Sequence, residues 1–150
     1  MSSPLPADVD SARDLLRVWR EDNVRRSADV VELWDSLLSV PSLWSSLGDE
    51  KWMVLEQVAV AAMDCHRRDV VERCLREIKS EFDIESVRVR RLYAMRFEML
   101  EDFESALSIY DQILEDDDAN SAARKRRVAI FKQQGENGRA ISELNKYLKE

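Results

Sequence analysis

VRVRRLYAMRFEMLEDFESALSIYDQILEDDDAN, Val87 to Asn120, is the stretch that decides the fold. Leu92, Tyr93, Phe97 and Leu100 recur at the three- and four-residue spacing of one helix face. Phe103, Ala106, Leu107, Tyr110, Ile113 and Leu114 do so again after a short break. Two such runs with so few residues between them predict an antiparallel helix hairpin. The same arrangement returns on either side. Ala59, Ala94 and Val128 stand 35 and 34 residues apart, and so do Ala62, Phe97 and Phe131. Val71, Ala106 and Ala140 keep that spacing in the second helix, as do Leu75, Tyr110 and Leu144. Four columns sharing one spacing make the chain an array of repeats rather than a simple bundle.

Outward from this stretch, Trp52, Leu55, Ala59 and Ala62 mark one preceding helix, and Val71, Leu75, Ile78 and Phe82 the next. Leu15, Leu16, Val18 and Trp19 predict a first helix that ends near Asn23, with Ser11 and Asp14 spaced as a capping box. Val30, Leu33, Trp34, Leu37 and Leu38 form the next stripe, with Ser27 as its N-cap and Pro41 just beyond its end. Ser39 to Asp49 reads as a loop. The last pair is expected over Ser121 to Gln134 and Asn137 to Lys149, with Gly135 at the left-handed position that closes a helix. The organisation expected is residues 1–10 without regular structure and one repeat domain over 11–150. That domain would comprise a divergent pair at 11–40 and repeats at about 52–86, 87–120 and 121–150.

Composition excludes several classes. Of 150 residues, 45% are apolar and 35% charged, enough apolar surface for a buried core. Only three glycines and three prolines are present, too few for the turns of a β-sandwich. The longest apolar run, Val58 to Met63, is far shorter than the ~20 residues of a membrane span. Met1 to Asp10 shows neither the basic flank nor the apolar stretch of a secretory signal, so a cytosolic location is expected. A net charge of −7 disfavours a nucleic-acid partner. Cys65 and Cys74 read as buried thiols. His66 is the neighbour of Cys65, about 100° away on a helix, so the two do not form a nucleophile–base couple. One histidine and two cysteines match no zinc spacing, and no glycine-rich phosphate loop is present. No enzyme activity, cofactor, metal or small-molecule ligand is therefore expected.

A 34-residue period with a small residue in each helix resembles the tetratricopeptide repeat, whose pattern finds Tyr93, Ala94, Phe97, Ala106 and Tyr110 in place. Ile113 departs from it where a small residue is usual, and Asp118 where proline is. The resemblance implies an all-α fold, a right-handed superhelical solenoid of antiparallel helix pairs. Longer runs resemble one family of such proteins, subunit 2 of the endoplasmic reticulum membrane protein complex. They are LRVWREDN (Leu16 to Asn23), LGDEKW with EQV (Leu47 to Val58), MRFEMLEDFESALSIYDQIL (Met95 to Leu114), NSAARKRRVAIFKQQG (Asn120 to Gly135) and AISELNKYL (Ala140 to Leu148). The likeness runs roughly from Ser11 to Glu150 and implies the N-terminal half of the family protein. It also implies a non-catalytic scaffold, peripheral on the cytosolic face of the endoplasmic reticulum membrane. Such a scaffold would hold the cytosolic parts of other subunits while the complex inserts tail-anchored and multipass proteins.

In a tetratricopeptide array the first helix of each pair lines the concave face. That face would present Glu56, Val60 and Met63, then Arg88, Arg91, Met95 and Glu98, then Lys125, Ala129 and Lys132. Its middle is basic although the chain is acidic. Arg88, Arg91, Met95, Lys125 and Lys132 are the candidate partner-binding residues, suited to an acidic or C-terminal peptide segment, with methionine as an adaptable apolar contact. A plain solvated face is the alternative for each charge. Carboxylate-clamp repeats carry asparagines along this groove, and Met95 and Ala129 stand in one such column here. The run Arg124 to Arg127 follows the acidic turn Glu115 to Asp118, so Arg124 and Arg127 are expected to bury their stems and pair with that turn rather than form a polyanion site. The four tryptophans, Trp19 to Trp52, sit in apolar stripes and are expected to fill the core rather than form a docking surface. Ile141, Leu144, Tyr147 and Leu148 face the direction that a further repeat would cover, an apolar edge from which 1–150 is expected to be a fragment or to have a terminus completed by a partner.

Overall fold

The computed structural model describes residues 4–149. Among them it holds eight α-helices and no strand. The chain divides into two compact units, Met1–Glu81 and Phe82–Glu150.

The first unit contains α1 (Val9–Glu21), α2 (Ser27–Leu33), α3 (Lys51–Asp64) and α4 (Arg68–Glu81). The N-cap of α1 is Asp8 and not Ser11: the Asp8 carboxylate accepts from the Ser11 N–H at 2.9 Å. Ser11 thus lies inside the first turn, and its N–H holds the Asp8 carboxyl below the usual range. Ser27 likewise begins α2 instead of capping it. The expected loop after α2 is ordered as helical turns. A π-turn spans Trp34–Leu38, and a run of 3-10 turns spans Pro41–Glu50, broken at Gly48. Gly48 has φ 59° and ψ −137°, a conformation that a side chain would strain. Trp44 and Leu47 explain the order, because both are buried. The Trp44 indole N–H donates to the Leu38 carbonyl at 2.7 Å, satisfying a group freed at the helix end.

α3 packs on α2 and α4. The core between them is built from Leu33, Val54, Leu55, Val58, Ala59, Val71 and Leu75. Trp19, Trp34 and Trp44 are buried in this unit, as core filling requires, whereas Trp52 is half-buried. Glu50 ties α1 to the start of α3 by accepting from Arg17 and, at 2.8 Å, from Arg20. Arg17 above all holds the Glu50 carboxyl below its ordinary value. Phe82, expected on the stripe of α4, lies beyond its end and is exposed.

The second unit contains α5 (Val87–Met99), α6 (Phe103–Asp116), α7 (Ser121–Gln133) and α8 (Asn137–Lys149). Two of these starts follow from a short polar side chain. Asp102 caps α6 through the Ser105 N–H at 3.2 Å, and Asn120 caps α7 through the Ala123 N–H at 3.1 Å. Gly135, at φ 77°, closes α7. α5 packs on α6, α6 on α7, and α7 on α8. Ala94 and Ala106 are fully buried, so the helices of the first hairpin approach closely. Tyr110, Ile113, Ala123 and Ile130 complete one cluster, with Phe97, Leu107 and Leu114 packed against it. These are tetratricopeptide-like helix hairpins. The repeat columns also show where burial stops: Leu75 and Tyr110 are 2% and 0% exposed, but Leu144 is 43% exposed. Ile141 and Leu148 are 60% and 69% exposed. The side chain of Tyr147 and residues 1–3 lie outside the described parts.

Candidate partner-binding face

The face is carried by α5 and α7 of the second unit. Positions 88, 91 and 95 follow the i, i+3, i+7 rule of one helix face, and positions 125 and 132 lie two turns apart. Arg88, Arg91, Lys125 and Lys132 are exposed and Met95 is half-buried. Arg88, Arg91 and Lys125 also engage other groups of the chain. Arg90, between the two exposed arginines, turns the other way: only 13% of its side chain is exposed, and it pairs with Asp116 at 2.9 Å, tying α5 to the end of α6.

Glu98, expected as an acidic member of this face, is withdrawn from it. Only 11% of its side chain is exposed. Its carboxylate accepts from the Tyr110 hydroxyl at 2.6 Å and from the Arg126 guanidinium at 2.5 and 3.3 Å. Burial first, then Glu98, pushes the Tyr110 phenol far above its ordinary range. Hydrogen bonding to Glu98 likewise raises Arg126. The network joins α5, α6 and α7, and it neutralises the one carboxylate expected among those basic residues. Arg126 is thus a tie between α5 and α7 that residue spacing alone missed. The only signal for it was a charge opposite to Glu98 within the Arg124 to Arg127 run.

The remaining arginines of that run are internal ties. Arg124 is buried and donates from Nε and Nη2 to the Asp118 carbonyl, both at 3.0 Å, and from Nη2 to the Asp118 carboxylate at 2.7 Å. The turn that lacks the usual proline is therefore held by an arginine. Arg127 departs from expectation. It pairs with Asp111 on α6 and, at 2.9 Å, with Glu143 on α8, and so bridges two helices instead of meeting the acidic turn. An open cleft of about 740 Å³ elsewhere in this unit is lined by Glu104, Asp111, Glu115 and Glu136, among others. Carboxylates of α6 and of the turn before α8 thus line that cleft, with Arg139 beside them.

In the first unit, Glu56 and Val60 of the expected face are half-buried, but Met63 is 8% exposed and belongs to the core, so it offers no adaptable contact. Cys65 closes α3, and His66 follows it in a left-handed turn (φ 55°). Cys74 is fully buried, and burial pushes its thiol up to about 12, so it stays protonated at neutral pH. Among the described residues no group of three or more His, Cys, Asp and Glu side chains could hold a metal ion. Among them, too, no helix is long and apolar enough to cross a membrane.

Stacked hairpins with a small residue at each close approach and charged side chains along the first helices define a tetratricopeptide-like repeat protein. No protein-family model matches the chain. Individual proteins do. It is 48% identical over 138 residues to "ER membrane protein complex subunit 2" of Xenopus tropicalis, a match that covers 92% of this chain and 46% of that protein. The protein of the same name from Dictyostelium discoideum is 36% identical over 137 residues, 91% of this chain and 42% of its own length. The "TPR repeat protein oca3" of Schizosaccharomyces pombe is 28% identical over 116 residues, 75% of this chain and 41% of that protein. The chain thus spans about half the length of the curated relatives it matches.

Proposed function

We propose that the chain is a non-catalytic scaffold in an endoplasmic reticulum membrane protein complex, peripheral on the cytosolic side of that membrane. There it supports the insertion of tail-anchored and multipass proteins. The observation that carries this is the similarity to subunit 2 of such a complex over nearly the whole chain, at 48% and, in a distant organism, 36% identity. A second line supports it. The face of α5 and α7 presents Arg88, Arg91, Lys125 and Lys132 beside Met95, while the nearby carboxylate of Glu98 is neutralised internally. Such a surface attracts acidic cytosolic segments of partner subunits. Neither free thiol chemistry nor a cofactor enters the scheme.

Affinity purification of the tagged protein from detergent-solubilised cells tests it. A stable set of integral membrane proteins, retained at raised salt, is expected. Recovery of no integral membrane protein would discard the scaffold. Salt-sensitive, micromolar capture of acidic or C-terminal peptides by the same face would then make the chain a free adaptor.

A further inference from the structure

Four serines of the chain, which contains no threonine, have an aspartate three residues on: Ser11 with Asp14, Ser46 with Asp49, Ser80 with Asp83 and Ser108 with Asp111. That spacing suits protein kinases that read carboxylates just C-terminal to the serine they modify, provided the residues between can be drawn out into the kinase's cleft. Folding denies this to three of the four. Ser11 is followed at once by Ala12, fully buried in α1, and Ser46 by Leu47, equally withdrawn from solvent. Ser108 lies within α6, two residues before the fully buried Tyr110. Drawing any of these segments out would take a core side chain into water.

Ser80 differs. Every residue from Lys79 to Glu85 is exposed, and α4 ends at Glu81, so the chain that follows the serine has already left the helix. Glu81, Asp83 and Glu85 come after it at alternate positions. The Asp83 carboxylate accepts from the Glu85 N–H at 2.9 Å and shapes this turn. We propose that the connection from α4 to α5 is a phosphorylation site, with Ser80 the acceptor for a serine kinase that recognises acidic residues. The step joins Ser80 Oγ to the terminal phosphorus of ATP as the P–O bond to ADP breaks, and the hydroxyl proton passes to the kinase's catalytic base. In the unmodified chain that hydroxyl donates to the Glu77 carbonyl at 2.6 Å, within the last turn of α4. Phosphorylation removes the donor and sets about two negative charges at the carbonyl end of the helix, where their sign is unfavourable. The last turn of α4 loosens as a result.

Incubation of the full chain with ATP and casein kinase 2, a kinase of this acidophilic class, followed by mass spectrometry, tests the proposal. About one phosphate per chain should enter, on Ser80, and Ser80→Ala should abolish it. Asp83→Asn keeps an oxygen to accept from the Glu85 N–H but loses the charge, and should slow the reaction at least about tenfold. Both positions are exposed, so circular dichroism of each variant should match the parent. In the phosphorylated chain, hydrogen exchange in the last turn of α4 should run roughly two- to fivefold faster, with the other helices unchanged. An unmodified Ser80 overturns the proposal, as does equal labelling of Ser11, Ser46 or Ser108. So does an Asp83→Asn variant labelled as fast as wild type, and unchanged exchange in that turn overturns the structural consequence.

Discussion

The two units reach the same end by different means. In the first, three buried tryptophans, a π-turn and 3-10 turns fill the space around α2 and α3, and Glu50 gathers arginines from α1 to hold the hairpins together. In the second, regular helices of 13 and 14 residues meet at Ala94 and Ala106, and one carboxylate, Glu98, joins three helices. Where small residues permit close approach, the repeat is regular. Bulky aromatic residues in the first unit instead need irregular turns to seat them.

The largest expected effect breaks the column that runs through both. Tyr110→Ala should cost roughly 3 to 5 kcal/mol and Leu75→Ala about 2 to 5, whereas Leu144→Ala, the same repeat position on an exposed face, should stay within about 0.5. Equal costs in denaturant melts would break the register. Next, enlarging Ala94 or Ala106 to leucine should overpack the hairpin and cost on the order of 1 to 3 kcal/mol in the same measurement. Glu98→Ala strands the Tyr110 hydroxyl and Arg126, and about 1 to 3 kcal/mol should be lost.

The units also differ in their response to pH. Asp8, Glu50 and Asp69 have carboxyl pKa values lowered in the folded chain. Their stabilisation is present above the ordinary carboxyl range and is lost as pH falls through the folded values. The Tyr110 phenol is raised, so its contribution is present below the ordinary value of ~10 and is lost as pH climbs through the folded one. All four tryptophans lie in the first unit and all three tyrosines in the second, so each unit has its own optical reporter. Tryptophan fluorescence should change first on acidification, and tyrosine absorbance should report the loss of the second unit above about pH 10. The reverse order would contradict the assignment of these ties.

Much of the second unit was legible in the sequence. Ala94, Ala106 and Tyr110 announce their burial by size and spacing, Gly135 by its backbone need, and the α7 and α8 boundaries fall within a residue of expectation. The 3-10 segment was not legible. Leu43, Trp44 and Leu47 are too few to set a period, and only the tertiary burial of Trp44 and Leu47 orders them. Asp8 and Ser11 are both capping residues at cap spacing, so sequence alone chose the wrong one. The basic face was half legible. Helix spacing grouped Arg88, Arg91, Met95, Lys125 and Lys132, but which charges are consumed internally depends on contacts between helices, as with Glu98 and Arg126.

The smallest expected effect on folding is the most informative for function. Reversing Arg88, Arg91, Lys125 and Lys132 to glutamate should change stability by only about 0.5 kcal/mol each, because exposed charges contribute little to the fold. Contacts at a buried interface can cost ~2 kcal/mol or more. The decisive measurement is the yield of membrane proteins co-purified with wild type and with this quadruple variant from solubilised cells, beside circular dichroism of both. The account predicts an unchanged helical spectrum and loss of the partners. The same partners recovered in the same yield by a folded quadruple variant would contradict it.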